Sequence, residues 1–160
     1  MIDRSEPYGK IVRRFWRDPE IRALPKDARD LLLYYFTSPD GNSTGVYLAP
    51  PRVVAHDIRL SAKRVEQLLR SHLRPWVTYD PQTMEVFVHN GARYQLGRTL
   101  MPADKRRTFI ERIIGDVRSA KLRAAFLNRY REWGINGRPR HTSTSKDLSG
   151  GTWEAPLEGP

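Results

Sequence analysis

Helical spacing of apolar residues predicts a first helix that begins near Pro25. The turn-forming residues 38–41 end this pattern, whose apolar positions lie about one turn apart at Ala28, Leu31, Leu32 and Tyr35. A short run of β-forming residues at 45–48 then predicts a strand. We therefore predict a helix followed by a short strand.

Two further helices are predicted after this strand, separated by a tight turn. Residues 50–51 are both proline, which fits the first helical position, and the helix they open carries Val53, Val54 and Ile58. Residues 59–61 form the turn, and Ser61 can cap a third helix by accepting a backbone N–H bond. We expect the third helix to run to about Leu73, before Pro75 ends it.

Two β-rich segments, residues 76–79 and 84–88, flank the turn residues 80–83 and predict a hairpin. The order helix, strand, helix, turn, helix, hairpin is that of a winged helix-turn-helix. We therefore predict a mainly α fold with a small β hairpin, in which a winged helix-turn-helix domain carries a C-terminal helical extension.

The predicted extension contains two amphipathic helices. One runs from about 103 to 114, after which Gly115 is expected to break it, and its single apolar face holds Phe109, Ile110, Ile113 and Ile114. The next has an apolar stripe of Leu122, Phe126, Tyr130 and Trp133. The predicted divisions are a DNA-binding domain (8–92), a basic helical extension (93–133) and a disordered tail (134–160), since the tail is rich in Gly, Pro, Ser and Thr.

On a helical wheel, the third helix has two unlike sides. The side expected to face the core holds Ala62, Val65, Leu68, Leu69, His72 and Leu73. The opposite side presents a row of Lys63, Gln67, Arg70 and Arg74, with Arg64 and Ser71 beside it. Glutamine and arginine can read base edges in the major groove while other cations reach phosphates, so this row predicts the DNA-binding face. A merely solvated helix face is the alternative.

The charge distribution favours a polyanionic partner. The chain has a net charge of +10; residues 1–92 contribute +3, residues 93–140 contribute +9 and residues 141–160 contribute −2. In the extension, Arg118, Lys121 and Arg129 lie beside the apolar stripe. They either contact DNA or point to water while the helices cover the domain; a third alternative is that an exposed stripe joins protomers into a homo-oligomer.

Catalytic, metal and membrane functions find little support in the sequence. Residues 41–45 match the Gly-x-Ser-x-Gly pattern, but a nucleophile elbow needs a preceding strand and a following helix, and here that order is reversed. The four histidines are scattered and the chain has no cysteine. No apolar run approaches the length of a membrane span. We therefore expect a cytoplasmic protein that is not an enzyme, with no cofactor, no metal and no catalytic residue.

The chain also resembles the winged-helix replication proteins of phages and mobile elements, known as replisome organisers, which include DnaD-like primosomal proteins. The matching stretches are FWRDPEIRAL (15–24), LYYFTSPDGN (33–42), TGVYLAP (44–50), SAKRV (61–65), YD (79–80) and FVHN (87–90), with a looser match at VRSAKL (117–122). Two departures are visible: the wing loop, residues 80–83, has no basic residue, and the helicase-contacting domain of larger relatives is missing or shortened.

This resemblance implies a replication initiator that binds double-stranded DNA at an origin-like site and recruits a helicase or helicase loader. A transcriptional repressor using the same winged helix is the alternative, because both classes need a recognition helix. The resemblance and the wheel together predict as DNA-binding residues Ser61, Lys63, Arg64, Gln67, Arg70, Ser71, Arg74, Arg118, Lys121 and Arg129.

Overall fold

The structure is a computed structural model that describes residues 9–140; residues 1–8 and 141–160 lie outside the described part. Its elements are a 3-10 turn (Arg13–Arg17), α1 (Pro19–Arg22), α2 (Lys26–Thr37), β1 (Val46–Leu48), α3 (Pro51–Ile58), α4 (Ala62–Arg70), β2 (Val77–Asp80), β3 (Glu85–Val88), α5 (Gly91–Leu96), α6 (Arg106–Asp116), α7 (Ala120–Arg129) and a second 3-10 turn (Arg131–Trp133). The predicted mainly α fold with a small β part is confirmed. The first and third predicted helices correspond to α2 and α4.

The three strands form one antiparallel sheet in the order β1-β3-β2. Val46 pairs with Phe87 and Val77 pairs with Val88, so β3 is central and the predicted hairpin joins β2 to β3. Since side chains alternate along a strand, residues at even spacing share a face. One face carries Tyr47, Val77, Tyr79, Val86 and Val88, and the other carries Val46, Thr78, Asp80, Glu85 and Phe87.

Helices α2, α3 and α4 cover the first face of the sheet. The core on this side combines the buried residues Ala28, Leu31, Leu32 and Tyr35 of α2 with Val54, Val65, Leu68 and Leu69 and with the inward strand residues. The Tyr47 hydroxyl donates to the Tyr35 carbonyl, with 2.6 Å between the oxygens, and so ties β1 to α2. Apolar spacing, the prolines before α3 and the Ser61 cap together predicted the helices of this half of the fold.

The extension covers the second face of the sheet. Val46 and Phe87 lie in a core with the whole predicted apolar stripe and with Ile110 and Ile114 of α6. Leu122 and Phe126 of the stripe belong to α7, whereas Tyr130 follows its end and Trp133 lies in the second 3-10 turn, so the helix is shorter than the predicted stripe. The Tyr130 hydroxyl donates to the His89 carbonyl at 2.6 Å. Because the stripe is buried inside the protomer, it is not the exposed surface that the oligomer alternative requires.

The end of α4 departs from the prediction. The helix ends at Arg70 rather than Leu73, because the N–H groups of His72 and Leu73 both donate to the carbonyl of Leu68 and the helical ladder stops there. Leu73 turns inward and is fully buried, whereas His72 is exposed. The prediction that His72 packs on the core face is therefore wrong.

Helix α6 also departs from the prediction at both ends. It begins at Arg106, whose N–H donates to the Asp104 carboxylate at 2.9 Å, instead of near residue 103. Gly115 does not break the helix but lies buried within it, where a Cβ would come within 3.0 Å of the Arg138 carbonyl. Phe109, expected on the apolar face, is 46% exposed.

Residues 134–140 lie against the extension. Ile135 packs on the second core, and the Arg140 N–H donates to the Gly115 carbonyl at 3.0 Å. The start of the predicted disordered tail therefore contacts α6 and the core, and the remainder, 141–160, lies outside the described residues. None of the helices in residues 9–140 has the length and apolar character that crossing a bilayer requires.

Candidate nucleic-acid interface

Helices α3 and α4 form a compact pair joined by a three-residue turn. Arg59 ends α3 in the left-handed conformation, at φ 57° and ψ 43°, which reverses the chain within one residue. The Leu60 N–H then donates to the Ala55 carbonyl at 2.9 Å. Ser61 caps α4 by accepting the Arg64 N–H at 3.1 Å between Oγ and N. These local bonds fix where α4 points relative to α3.

Packing on α2 sets which side of α4 faces outward. Val65, Leu68 and Leu69 are buried in the first core, and the Arg64 guanidinium pairs with the Asp27 carboxylate of α2 at 3.3 Å. The residues of α4 that remain are therefore presented to solvent along one side. The helical spacing of apolar residues in the sequence predicts the same exposed side of α4.

Three residues of the predicted outward row are exposed on α4 at one-turn spacing: Lys63, Gln67 and Arg70. Arg70 pairs with Glu66 at 3.4 Å, an exposed i, i+4 pair that a phosphate can displace at little cost. The side chains of Lys63 and Gln67 have no hydrogen-bond partner within residues 9–140. The row thus offers one amide and two cations to a partner.

The other predicted residues near α4 differ in availability. The oxygen of Ser61 accepts the capping bond, and Arg64 is half-buried beside Asp27. The Ser71 hydroxyl donates to the Gln67 carbonyl at 2.7 Å, which closes the last turn of α4. Arg74 is exposed but follows the end of α4, so it does not continue the helical row as predicted.

A buried carboxylate fixes the start of α7 on the hairpin. Glu85 is only 6% exposed, and its two oxygens accept the N–H groups of Arg118 at 3.0 Å and Ser119 at 2.7 Å. The Ser119 hydroxyl caps Leu122 N–H and donates to the Asp80 carboxylate, a bond that lowers the pKa of Asp80. The negative charge at the helix N-terminus is favourable because the N–H dipoles point toward it.

This docking brings two extension cations to the hairpin loop. The Arg118 guanidinium donates to the Thr83 carbonyl at 3.0 Å, and the Lys121 ammonium is close enough to Asp80 to lower the pKa of that carboxyl further. The loop has no basic residue of its own, and the extension supplies two. Sequence reasoning missed this arrangement because the contacts join residues more than 30 positions apart.

Arg129 lies elsewhere. Its guanidinium donates to the Asn90 side chain at 2.9 Å, and eight residues of helix, about 12 Å, separate it from Lys121. The predicted line of Arg118, Lys121 and Arg129 is thus divided between the two ends of α7.

Helix α4 and the hairpin are neighbours. Burial raises the pKa of Tyr79 on β2, the Glu66 carboxylate raises it further, and the Arg70 guanidinium opposes this effect. Charges on α4 therefore act on Tyr79, whereas the next residue, Asp80, lies on the opposite face of the sheet. The row on α4 and the cations at the hairpin loop lie on adjoining elements.

Comparison with protein-family models, with curated proteins and with solved structures gives no match. A function is therefore inferred from the positions and charges of the residues described above. Those features are the capped helix pair, the exposed row and the paired cations at the hairpin loop.

Proposed function

We propose that this protein binds duplex DNA as a winged helix, with α4 in the major groove and the β2–β3 hairpin as the wing. The element order from α2 to β3 and the antiparallel sheet beside the helix pair support this assignment. The outward row of α4 is the observation that carries the proposal, because its amide and cations are exposed, regularly spaced and available.

Within the row, side-chain chemistry determines the expected contact. Gln67 and Arg70 suit base edges, since glutamine can bond adenine and arginine can bond guanine with two hydrogen bonds each. Gln67 is central on the row, whereas Arg70 is the last residue of α4 and not a central one. Lys63 and Arg64 lie in the first turn of α4 and suit phosphates. Arg74 extends the phosphate contacts beyond the helix end.

Arg118 and Lys121 provide a second contact to the same duplex. They flank a hairpin loop that otherwise presents Asp80 to an incoming phosphate, and their charges offset it. Arg129 is too far along α7 to share this contact, so it contributes to the overall positive field. The extension thus stabilises the sheet and also places cations at the wing.

The biological role proposed is replication initiation: binding an origin-like site and recruiting a helicase or helicase loader. The resemblance of residues 8–95 to replisome organisers supports this role. Repression of transcription is the alternative. Genomic fragments selected by the purified protein should map to origins in the first case and to promoters in the second.

Two alanine variants test the DNA-binding face directly. Arg70→Ala should cost about 1 to 3 kcal/mol on the preferred duplex and relax sequence preference, because a base contact is lost. Lys63→Ala should weaken all duplexes alike, because a phosphate contact carries no sequence information. Fluorescence anisotropy on preferred and scrambled duplexes at one salt concentration measures both effects.

Arg131→Ala is a matched control, since Arg131 is an exposed arginine in the 3-10 turn after α7, at the end of that helix away from the hairpin loop. It should leave both affinities almost unchanged. Equal losses on both duplexes for Arg70→Ala would show that Arg70 holds phosphate. Unchanged binding in both α4 variants would reject α4 as the binding helix.

A further inference from the structure

A second surface, separate from the outward row of α4, lies between the N-terminal turn, the start of β2 and α5. It is a groove of about 430 Å³, a size within the range of ligand sites. Its apolar lining residues include Ile11, Phe15, Ile21 and Phe36. Neither the proposed duplex contact nor the core packing accounts for this recess.

Two amphipathic aromatic side chains line the groove. Trp76 and Tyr94 are both half-buried, and within residues 9–140 neither the indole N–H nor the Tyr94 hydroxyl has a hydrogen-bond partner. Tyr94 packs against Phe36 with ring centroids 5.7 Å apart, which holds its ring in place. A fixed aromatic ring with an accessible side is a platform on which a planar ligand can stack.

Arginines border the same groove. Arg14 and Arg98 are exposed, and their guanidinium groups have no partner in the described part of the chain. The recess continues past Tyr94 and Arg98 to Asn90 and Arg93. The lining of the groove also includes Asp18 and Glu20, and Asp18 is already engaged in capping α1. Where the recess continues past Tyr94, its charged lining residues are Arg93 and Arg98.

A recessed groove of this kind excludes the bases of a nucleic-acid duplex. Bases in a duplex are stacked and paired, so they cannot enter a recess, whereas an unpaired base can turn out and stack on a side chain. Aromatic platforms beside arginines are the combination that single strands require, since the rings hold bases and the cations hold phosphates. The groove also lies close to α4 in the chain, because Trp76 follows soon after its end and donates its backbone N–H to the Leu73 carbonyl.

We propose that this groove binds single-stranded nucleic acid, with an unpaired base stacked on Tyr94 or Trp76 and its phosphates at Arg14 and Arg98. The protein then has two nucleic-acid sites of different specificity: α4 for the duplex and the groove for unpaired nucleotides. The two half-buried aromatic side chains and the guanidinium groups of Arg14 and Arg98, unpaired within residues 9–140, carry this assignment, and it does not depend on the duplex site.

The test uses the full chain and a labelled oligothymidylate of about twelve nucleotides in fluorescence anisotropy. Tyr94→Leu keeps an apolar side chain against Phe36 but removes the aromatic face, and it should weaken binding about tenfold or more. Tyr94→Phe keeps the face and should retain the affinity. Replacing both Arg14 and Arg98 with Gln should reduce the slope of log affinity against log salt by about 1.4, at roughly 0.7 for each contact.

Two controls separate this site from the duplex site. Arg70→Ala should leave oligothymidylate binding unchanged, and Tyr94→Leu should leave duplex binding unchanged. Arg131→Gln tests whether any exposed arginine has the same effect as Arg14 or Arg98, and it should be silent. Thermal midpoints of all variants confirm that they are folded.

Three results would overturn the proposal. The first is that the native chain does not bind oligothymidylate. The second is that Tyr94→Leu and the double arginine variant bind it as tightly as the native chain does. The third is that Tyr94→Leu loses duplex and single-strand binding equally, which would show that the groove does not distinguish unpaired bases.

Discussion

Replacing Glu85 with Gln tests whether the extension is fixed to the sheet by one buried carboxylate. The glutamine side chain has nearly the same size as the glutamate and still offers one oxygen. The amide is uncharged and has only one oxygen. Its NH2 group is a donor and would face one of the two N–H groups, those of Arg118 and Ser119, that the carboxylate now accepts. The change therefore removes charge and one acceptor while leaving the volume of the core intact.

The magnitude follows from the contacts. A hydrogen bond to a charged group contributes about 1.5 to 3 kcal/mol, and a partly buried charge at a helix N-terminus contributes up to about 2 kcal/mol. These contributions overlap, since the same carboxylate supplies both. We expect Glu85→Gln to lower the free energy of unfolding by about 2 kcal/mol, which corresponds to about 6 °C in the thermal midpoint of a chain this size.

Urea unfolding followed by far-UV circular dichroism measures this loss. Glu66→Gln is the matched control, because Glu66 makes an exposed i, i+4 pair with Arg70, worth about 0.3 to 0.5 kcal/mol. The slope of free energy against urea should be unchanged in both variants if the extension and the first core unfold together.

The outcome can contradict the reasoning in two ways. A loss for Glu85→Gln no greater than that for Glu66→Gln would show that the carboxylate does not hold α7. Two separate transitions, one for the extension and one for the rest, would show that the cores on the two sheet faces are not cooperative.

Three other predictions concern salt, the C-terminal segment and pH. Duplex affinity should fall with salt at a log-log slope of about −4 to −8, measured by anisotropy, and a slope near zero would exclude a phosphate partner. A chain ending at Arg140 should keep the thermal midpoint of the full chain. A chain ending at Trp133 should be less stable, because it lacks Ile135 in the second core and the hydrogen bond from the Arg140 N–H to the Gly115 carbonyl. Equal midpoints for the two chains would show that residues 134–140 do not stabilise the fold. Burial lowers the pKa of His89, so the unfolded chain binds a proton before the folded chain does, and the free energy of unfolding should decrease as the pH falls below about 6.5. His89→Gln should remove that part of the pH dependence measured by urea unfolding, and an unchanged pH profile would contradict this prediction.

The part of the fold that local pattern determines was predictable. The apolar spacing of α2, the prolines at the start of α3 and Ser61 before α4 each act within one or two turns of the chain. The hairpin likewise depends on two β-rich segments close in sequence. These features locate the exposed row of α4 without any knowledge of tertiary contacts.

Long-range contacts explain most of what the sequence did not predict. The early end of α4 is a local exception, because Leu68 accepts two N–H bonds there and the helical wheel assumes an ideal helix beyond that point. Gly115 lies within α6 at a point where Arg138 and Arg140 pass so close that a side chain would collide with them. These segments are more than 20 residues apart in the sequence. Glu85 and Arg118 are 33 residues apart, so no local pattern places that cation at the hairpin loop.

The burial of both sheet faces links these findings to the proposed function. A three-stranded sheet with one exposed face would leave Val46 and Phe87 in water, and α7 covers them with its apolar stripe. The same stripe orients the start of α7 toward the hairpin loop, because the Glu85 carboxylate accepts its first N–H groups there. The bonds that stabilise the extension therefore also determine where Arg118 and Lys121 lie. In the proposed binding mode, loosening this anchor weakens the contact that Arg118 and Lys121 make with DNA and changes no residue of α4. Glu85→Gln should therefore reduce duplex affinity while retaining the sequence preference proposed for Arg70.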